Sequence, residues 1–349
     1  MVDQTNRHTI TNPAVSVILP CYNAAGTVDE TLQSLLQQTL EAFEIIAIDD
    51  GSTDHTLQRL QAWSKRDRRI HILERPHRGV IEAANAGLEK CTAPFIARMD
   101  ADDVAYPQRL AKQLSFLNQN PDIAVVSCLV EGVPPEAVGQ GFQIYLDWLN
   151  SLITPEAIAR EIYIESPVAN PSTMIRKSWF MEAEGYQEHG WPEDYDLWLR
   201  LHLAGAKFAK VPEVLLSWRE HPDRLTRTDS RYSVENFLRA KAHYLCQGIV
   251  KERDAVILWG AGQMGRRLSK HLLRGGAPLV AFIDIDPKKI GRKRRGCTIH
   301  APTDLPTLWE RFQSPILLAA VGSRGARALI RKQLATMGFQ EGRDWWAVA

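Results

Sequence analysis

Three carboxylates stand within four positions at Asp100, Asp102 and Asp103, close behind the short apolar run Pro94 to Ala97. Oxygen ligands at that density suit a hard divalent cation that also bridges a diphosphate. If residues 95–99 form a buried strand, its C-terminal end delivers the acids to the crevice where open α/β sheets bind ligands. Taken alone, the same residues also read as a solvated acidic turn capping a helix that starts near Pro107.

Three further patches carry similar chemistry. Pro20-Cys21-Tyr22-Asn23 follows one apolar run and Asp49-Asp50-Gly51-Ser52-Thr53-Asp54 follows the next. A carboxylate such as Asp50 can accept a hydrogen bond from a base N–H, and Gly51 lets backbone approach a ligand. Trp191-Pro192-Glu193-Asp194 opens a predicted helix. Each patch has a structural alternative: turn chemistry and capping for 50–53, and dipole complementation for Glu193 and Asp194.

The elements that must hold these residues alternate. Apolar, β-branched runs at 15–19, 43–48, 70–73, 95–99 and 123–127 interleave with helical patterns near 32–36, 53–63, 80–88 and 110–117. That rhythm predicts a doubly wound, mostly parallel sheet with right-handed crossovers. Residues 131–171, rich in Gly and Pro, break it and are expected to cover one side of the crevice. A strand over 172–175, a helix over 193–203, a strand over 211–218 and a helix over 234–246 follow.

A second α/β unit begins at Asp254. Gly260-Ala261-Gly262-Gln263-Met264-Gly265 lies between a predicted strand at 256–259 and a helix, and the strand 279–283 ends at Asp284. This is the context a phosphate-binding glycine loop requires, with the acid close to the expected spacing of about 20 residues. Further elements are expected at 316–320 and 325–337. The expected division is a domain over 1–230, a helical connector over 231–252 and a Rossmann-like accessory domain over 253–349.

The chain has 349 residues with 45% hydrophobic and 24% charged, enough to bury full cores and ordinary for a soluble protein. No apolar stretch reaches the roughly 20 residues of a membrane span, and the N-terminal dozen is polar without a signal-peptide core. A cytoplasmic protein is expected, with peripheral contact at the inner membrane face as a further option. The five cysteines, scattered and without metal spacing, read as reduced thiols. Residues 250–349 carry 18 Lys and Arg against 8 Asp and Glu, a net +10, whereas residues 1–249 carry 24 against 33, a net −9. The basic third suits an anionic partner such as lipid headgroups, or is a solvated loop at 288–295. No nucleic-acid partner is expected.

In order, Val15-Ser16-Val17-Ile18-Leu19-Pro20-Cys21-Tyr22-Asn23, Ile48 to Asp54, Ala97 to Asp103 and Glu193-Asp194 resemble the inverting glycosyltransferases of family 2, which have the GT-A nucleotide-diphospho-sugar transferase fold. The likeness covers roughly residues 14–225. It implies transfer of a sugar from a nucleoside-diphosphate sugar, with UDP-sugar the expected donor, to a glycan, lipid-linked or other hydroxyl acceptor, with Mg²⁺ or Mn²⁺ as cofactor. It implies that Asp50 contacts the donor base beside Pro20, Tyr22 and Asn23, that Asp102 ligates the metal, and that Asp100 lies nearer the ribose or metal waters. Asp103 becomes an extra contact, Asp194 the general base and Glu193 its neighbour.

Many relatives place a histidine where His221 stands, able to join the metal or the diphosphate; a lone loop histidine can also simply be solvated. Arg78 and Arg98 are expected to face phosphates or pair with the acids, and Trp191 to stack on a sugar or fill the core. Relatives often carry histidine at the position of Asn170, which leaves the role of its loop open. Two other classes are weighed: a nucleotide-sensing scaffold built on the Gly260, Gly262, Gly265 and Asp284 loop, and a sugar nucleotidyltransferase. The latter would need a Gly-rich basic loop where Pro20 to Asn23 stand.

Overall fold

The structure, a computed structural model, describes residues 12–349, so the polar N-terminal stretch 1–11 lies outside it. The chain forms two compact units. One holds residues up to 155 together with 168–187 and 206–221; the other holds 156–167, 188–205 and 222–349. This interleaved division differs from the successive segments 1–230, 231–252 and 253–349 read from sequence, because the helix over Glu193–Leu203 belongs to the second unit.

The first unit is built on an eight-stranded sheet. Its strands are β1 (Val15–Cys21), β2 (Phe43–Asp50), β3 (Ile70–Arg75), β4 (Phe95–Arg98), β5 (Val104–Ala105), β6 (Ile123–Val133), β7 (Met174–Arg176) and β8 (Lys207–Arg219), in the order β3-β2-β1-β4-β7-β6-β8-β5. β1, β2 and β3 are parallel, as are β1 with β4 and β6 with β8; β7 and β5 run antiparallel to their neighbours.

β1 and β2 are near-continuous apolar runs because helices cover both faces of the sheet. The helix over Val80–Lys90 approaches the sheet so closely that a Cβ on Gly87 would lie 2.6 Å from Ile48 Cδ1 and 3.1 Å from Ile18 Cγ2, so a larger residue there would force those side chains to shift. Cys21 pairs with Asp49 and Ile18 with Arg98, so β1, β2 and β4 end along one edge of the sheet. The predicted strands are all present; the helix expected from residue 53 instead starts at Thr56, since Asp54 accepts from the Thr56 N–H at 2.9 Å.

The second unit has a six-stranded sheet of β9 (Ala255–Trp259), β10 (Leu279–Ile283), β11 (Lys293–Arg294), β12 (Cys297–His300), β13 (Pro315–Ala319) and β14 (Trp345–Ala347), ordered β11-β12-β10-β9-β13-β14. Only the β11–β12 pair is antiparallel. The helices Gln263–Arg274 and Ala326–Thr336 bury Leu268 and Leu272, and Ile330 and Leu334. The basic run 288–295 is mostly exposed and includes β11. No helix among the described residues is long and apolar enough to cross a membrane.

Candidate active site

Strand ends in the first unit carry three of the four predicted patches. The Pro20 to Asn23 and Gly51 to Asp54 loops clasp each other: Asn23 Oδ1 accepts from the Thr53 N–H at 2.8 Å, and the Asn23 N–H donates to Ser52 Oγ at 3.0 Å. Gly51, at φ +71°, is also where a Cβ would meet the His77 N at 2.6 Å, so glycine admits the 77–79 segment beside β2. That segment wraps Asp50. Its carboxylate accepts from the Gly79 N–H at 2.8 Å and the Arg78 N–H at 3.2 Å, and His77 Nδ1 lies 2.8 Å away. The His77 ring stacks on half-exposed Tyr22, centroids 4.0 Å apart and 22° between planes.

His77 was missed in the sequence, which singled out the adjacent Arg78. A histidine between a strand and a helix start carries no pattern that says which strand end it will reach. The Arg78 side chain is exposed, with its backbone N–H holding Asp50. Asp49, buried beside β1, accepts from the Ser52 N–H at 3.2 Å. Burial, then the Asp49 charge, pushes the Cys21 thiol up, which keeps it protonated.

The acidic cluster forms as expected: ligand oxygens of Asp100, Asp102 and Asp103 all lie within 4.8 Å of one another. The three acids have different fixtures. Arg98 is itself buried and holds Asp100 at 2.7 Å, so it pairs with the cluster instead of facing a phosphate. Asp103, 1% exposed, accepts from the Arg219 N–H at 2.8 Å, while the Arg219 side chain donates to the Asp102 carbonyl at 2.7 Å and to Glu30 at 2.6 Å. Asp102 points its carboxylate at His221, with Oδ2 and Nε2 2.9 Å apart.

The predicted metal pair is thus adjacent although 119 positions separate it in sequence. β8 brings it about, since β5 pairs Val104 with Ser217 just ahead of Arg219. Phe142 and Tyr145 of the helix Gln140–Ser151 pack on Trp218, at 5.5 and 6.4 Å, and steady the same strand end. Beneath the cluster Arg109, fully buried and unremarked in the sequence, donates to the Arg98 carbonyl at 2.7 Å. Asn170 accepts from the Tyr186 hydroxyl at 2.8 Å, a structural partner for the position left open above.

In the second unit the helix Glu193–Leu203 begins with the acidic pair, as predicted. Glu193 is buried and both its oxygens lie on the Tyr232 hydroxyl, at 2.7 and 2.8 Å. Burial and then the Glu193 charge hold that phenol well above its usual range, so it stays a donor. Asp194 is partly exposed and accepts from the Tyr195 N–H at 2.7 Å. Trp191 is 9% exposed, enclosed by His189, His243 and Tyr244, with its indole N–H 2.6 Å from Asp196. It is a core tryptophan.

Asp196 is the hub that sequence reading overlooked. Fully buried, it accepts from Tyr244 at 2.6 Å and Arg200 at 2.7 Å besides Trp191. Burial alone would raise its pKa, but these donors together hold it below the usual carboxylate range. A depressed folded pKa stabilises the fold above the unfolded value of about 3.9 and loses that stabilisation as pH falls through the folded value. Asp196→Asn should therefore lower unfolding free energy at pH 7 by about 3 kcal/mol, as expected for breaking a buried charged network. Denaturant melts should show the gap between variant and wild type closing below about pH 4; a constant gap would contradict this role.

The Gly260 to Gly265 loop and Asp284 also come together in this unit. Asp284 accepts from the Ala261 N–H at 2.9 Å and from Lys289 at 3.0 Å.

Comparison with known proteins extends the picture. The sequence model of the family described as glycosyl transferase family 2 matches residues 16–183. The amylovoran biosynthesis glycosyltransferase AmsE of Erwinia amylovora is 31% identical over 215 residues, covering 61% of this chain and 78% of that protein. Staphylococcus aureus TarS 1-349 in complex with UDP-GlcNAc shares the fold at TM-score 0.56 and 19% identity, over 74% of this chain and 72% of that one. The mannosyltransferase PcManGT of Pyrobaculum calidifontis in complex with GDP-Man and Mn²⁺ does so at TM-score 0.50 and 18% identity, over 94% and 81%. These neighbours have the GT-A fold, which the first sheet therefore represents.

Proposed function

The chain belongs to glycosyl transferase family 2, and from that premise we propose that it moves a sugar, with inversion, from a UDP-linked donor to a hydroxyl acceptor in polysaccharide or lipid-linked glycan assembly. That it is a glycosyltransferase follows from the family. The observation that carries the finer reading is the cluster of Asp100, Asp102 and Asp103 with His221 2.9 Å from Asp102. The UDP-GlcNAc and GDP-Man complexes of the two structural neighbours support a nucleotide-sugar donor, and the AmsE relative supports a polysaccharide product.

The donor set fits a divalent cation: hard carboxylate oxygens with one imidazole nitrogen suit Mg²⁺ or Mn²⁺. Asp102 and His221 would hold it, with Asp100 directed to its waters or the ribose by Arg98. When bound, the ion neutralises charge that builds on the departing diphosphate. Asp50 is buried and its carboxylate already accepts from the Arg78 and Gly79 N–H groups, so it serves the base site by holding the 77–79 segment, and with it the Tyr22–His77 stack, in place.

Asp194 takes the proton of the acceptor hydroxyl as its oxygen bonds to the anomeric carbon. The bond from that carbon to the diphosphate oxygen breaks, the nucleoside diphosphate leaves with the electron pair, and single displacement inverts the centre. Glu193, fixed by Tyr232, keeps its neighbour's orientation.

Nucleoside diphosphate release from a panel of UDP-, GDP- and dTDP-sugars with Mn²⁺ and mixed hydroxyl acceptors tests the reading. Turnover with one donor is the expected result. No release and no donor-dependent thermal shift with any of them would sink it.

A further inference from the structure

One sizeable cavity plays no part in the chemistry above. It occupies about 900 Å³ wholly within the second unit, between the Gly260 to Gly265 loop, Asp284 to Lys289, the 320–323 loop after β13 and the helix Ala326–Thr336. That is near the upper end of the roughly 300–1,000 Å³ typical of small-ligand sites. Its walls are mainly apolar, with Met264, Val321 and Ile330 inside. Three of its lining residues, Ile285 at 73%, Leu329 at 70% and Val234 at 52%, are among the most exposed large apolar side chains of the described chain. Water-exposed aliphatic groups facing a concavity are what a flat apolar ligand would cover.

The glycines separate what the fold needs from what it does not. A Cβ on Gly265 would lie 1.8 Å from the Gly260 carbonyl oxygen, and Gly260 itself sits at φ +114°; packing and backbone demand glycine at both. Gly262 is different. Its φ of −77° and ψ of −159° suit any residue, and a Cβ there would have nothing within 4 Å. Gly262 nonetheless lines the cavity, at the start of the helix Gln263–Arg274. Neither strain nor packing explains glycine at this position, whereas close approach of a ligand to the backbone would. The first amides of that helix favour an anionic group, and Arg267 and Lys289 add positive charge to the lining.

Asp284 does not behave as a free ribose contact. It is 6% exposed, and its oxygens accept from the Ala261 N–H, the Asp286 N–H and Lys289 at 2.9 to 3.0 Å. It anchors the loop.

We propose that this cavity is a second nucleotide site, binding a nucleoside phosphate whose phosphate lies over Gly262 and whose base lies between Ile285 and Leu329. None of the lining residues is a histidine, cysteine or tyrosine, and the assignment is to binding without turnover.

The test uses the full-length protein in EDTA, which removes metal-dependent donor binding at the catalytic centre, with NAD⁺, AMP and UDP titrated calorimetrically and inorganic phosphate as a control for the anion alone. At least one nucleotide should bind one-to-one, more tightly than phosphate. Gly262→Val and Ile285→Asp should each weaken it about tenfold or more, with nucleotide-sugar turnover in Mn²⁺ unchanged. Gly262→Val is compatible with the local backbone, and Ile285→Asp alters a surface residue, so each reports on the site in a folded chain. Absence of binding by all three nucleotides, or binding that neither substitution weakens, would overturn the proposal. Because the readout is metal-free binding, its failure leaves the proposed transfer reaction untouched, and the reverse also holds.

Discussion

Asp194→Asn is expected to slow sugar transfer by roughly 10² to 10⁴, the contribution typical of a general base and worth on the order of 3 to 5 kcal/mol. The substitution is close to isosteric. Its side-chain oxygen can still accept from the Tyr195 N–H, so the start of the helix Glu193–Leu203 should survive and melting should change little. Donor binding, measured calorimetrically with Mn²⁺, should be retained, since the acid acts on the acceptor. Glu193→Gln should cost less, because Glu193 is buried against Tyr232. Transfer by the Asp194→Asn enzyme close to the wild-type rate would remove Asp194 from the base role.

The second large effect belongs to the acidic cluster, where neighbouring aspartates should fail in different ways. Asp102→Asn should weaken Mn²⁺-dependent donor binding by roughly ten- to a hundredfold, because it removes charge from the oxygen that faces His221. Asp103→Asn should leave that affinity largely intact and lower stability instead, by about 1 to 3 kcal/mol, since its buried carboxylate accepts from the Arg219 N–H. Calorimetry and denaturant melts on both variants separate the two losses. Equal donor affinity for wild type and Asp102→Asn would refute the assignment of Asp102 as ligand.

Much of this site is visible along the chain because it is built from strand ends. β1, β2 and β4 are mostly apolar runs, and polar residues stand at or just beyond the end of each: Tyr22 and Asn23, Asp50, and Asp100 to Asp103. A parallel sheet puts such ends on one edge, so period and position suffice. The same local logic locates the helix Glu193–Leu203 and the glycine loop before Gln263. Short strands escape it. β5, β11 and β14 span two or three residues each, too few to show any alternation, and they exist only because a partner strand completes them.

The assignments that changed depend on partners distant in sequence. Trp191 was open between a sugar platform and a core residue, and Asp196, His189 and His243 around it decide for the core. Arg98 could have faced a phosphate, yet burial beside Asp100 makes it a fixture of the cluster. Asp284 matches the spacing of a ribose contact, but its oxygens are taken by Ala261, Asp286 and Lys289.

The sequence by itself determined the family, the parallel strand framework and the identity of the acids, because periodic burial and residue type are local properties of the chain. Only the tertiary structure decided which acid stays part-exposed and which is buried against the backbone. Asp102 meets His221 and Asp103 meets the Arg219 backbone through β8, more than 110 positions away. Whether a carboxylate is a ligand or a strut depends on where its lone pairs are already used, and that is set by packing between distant segments.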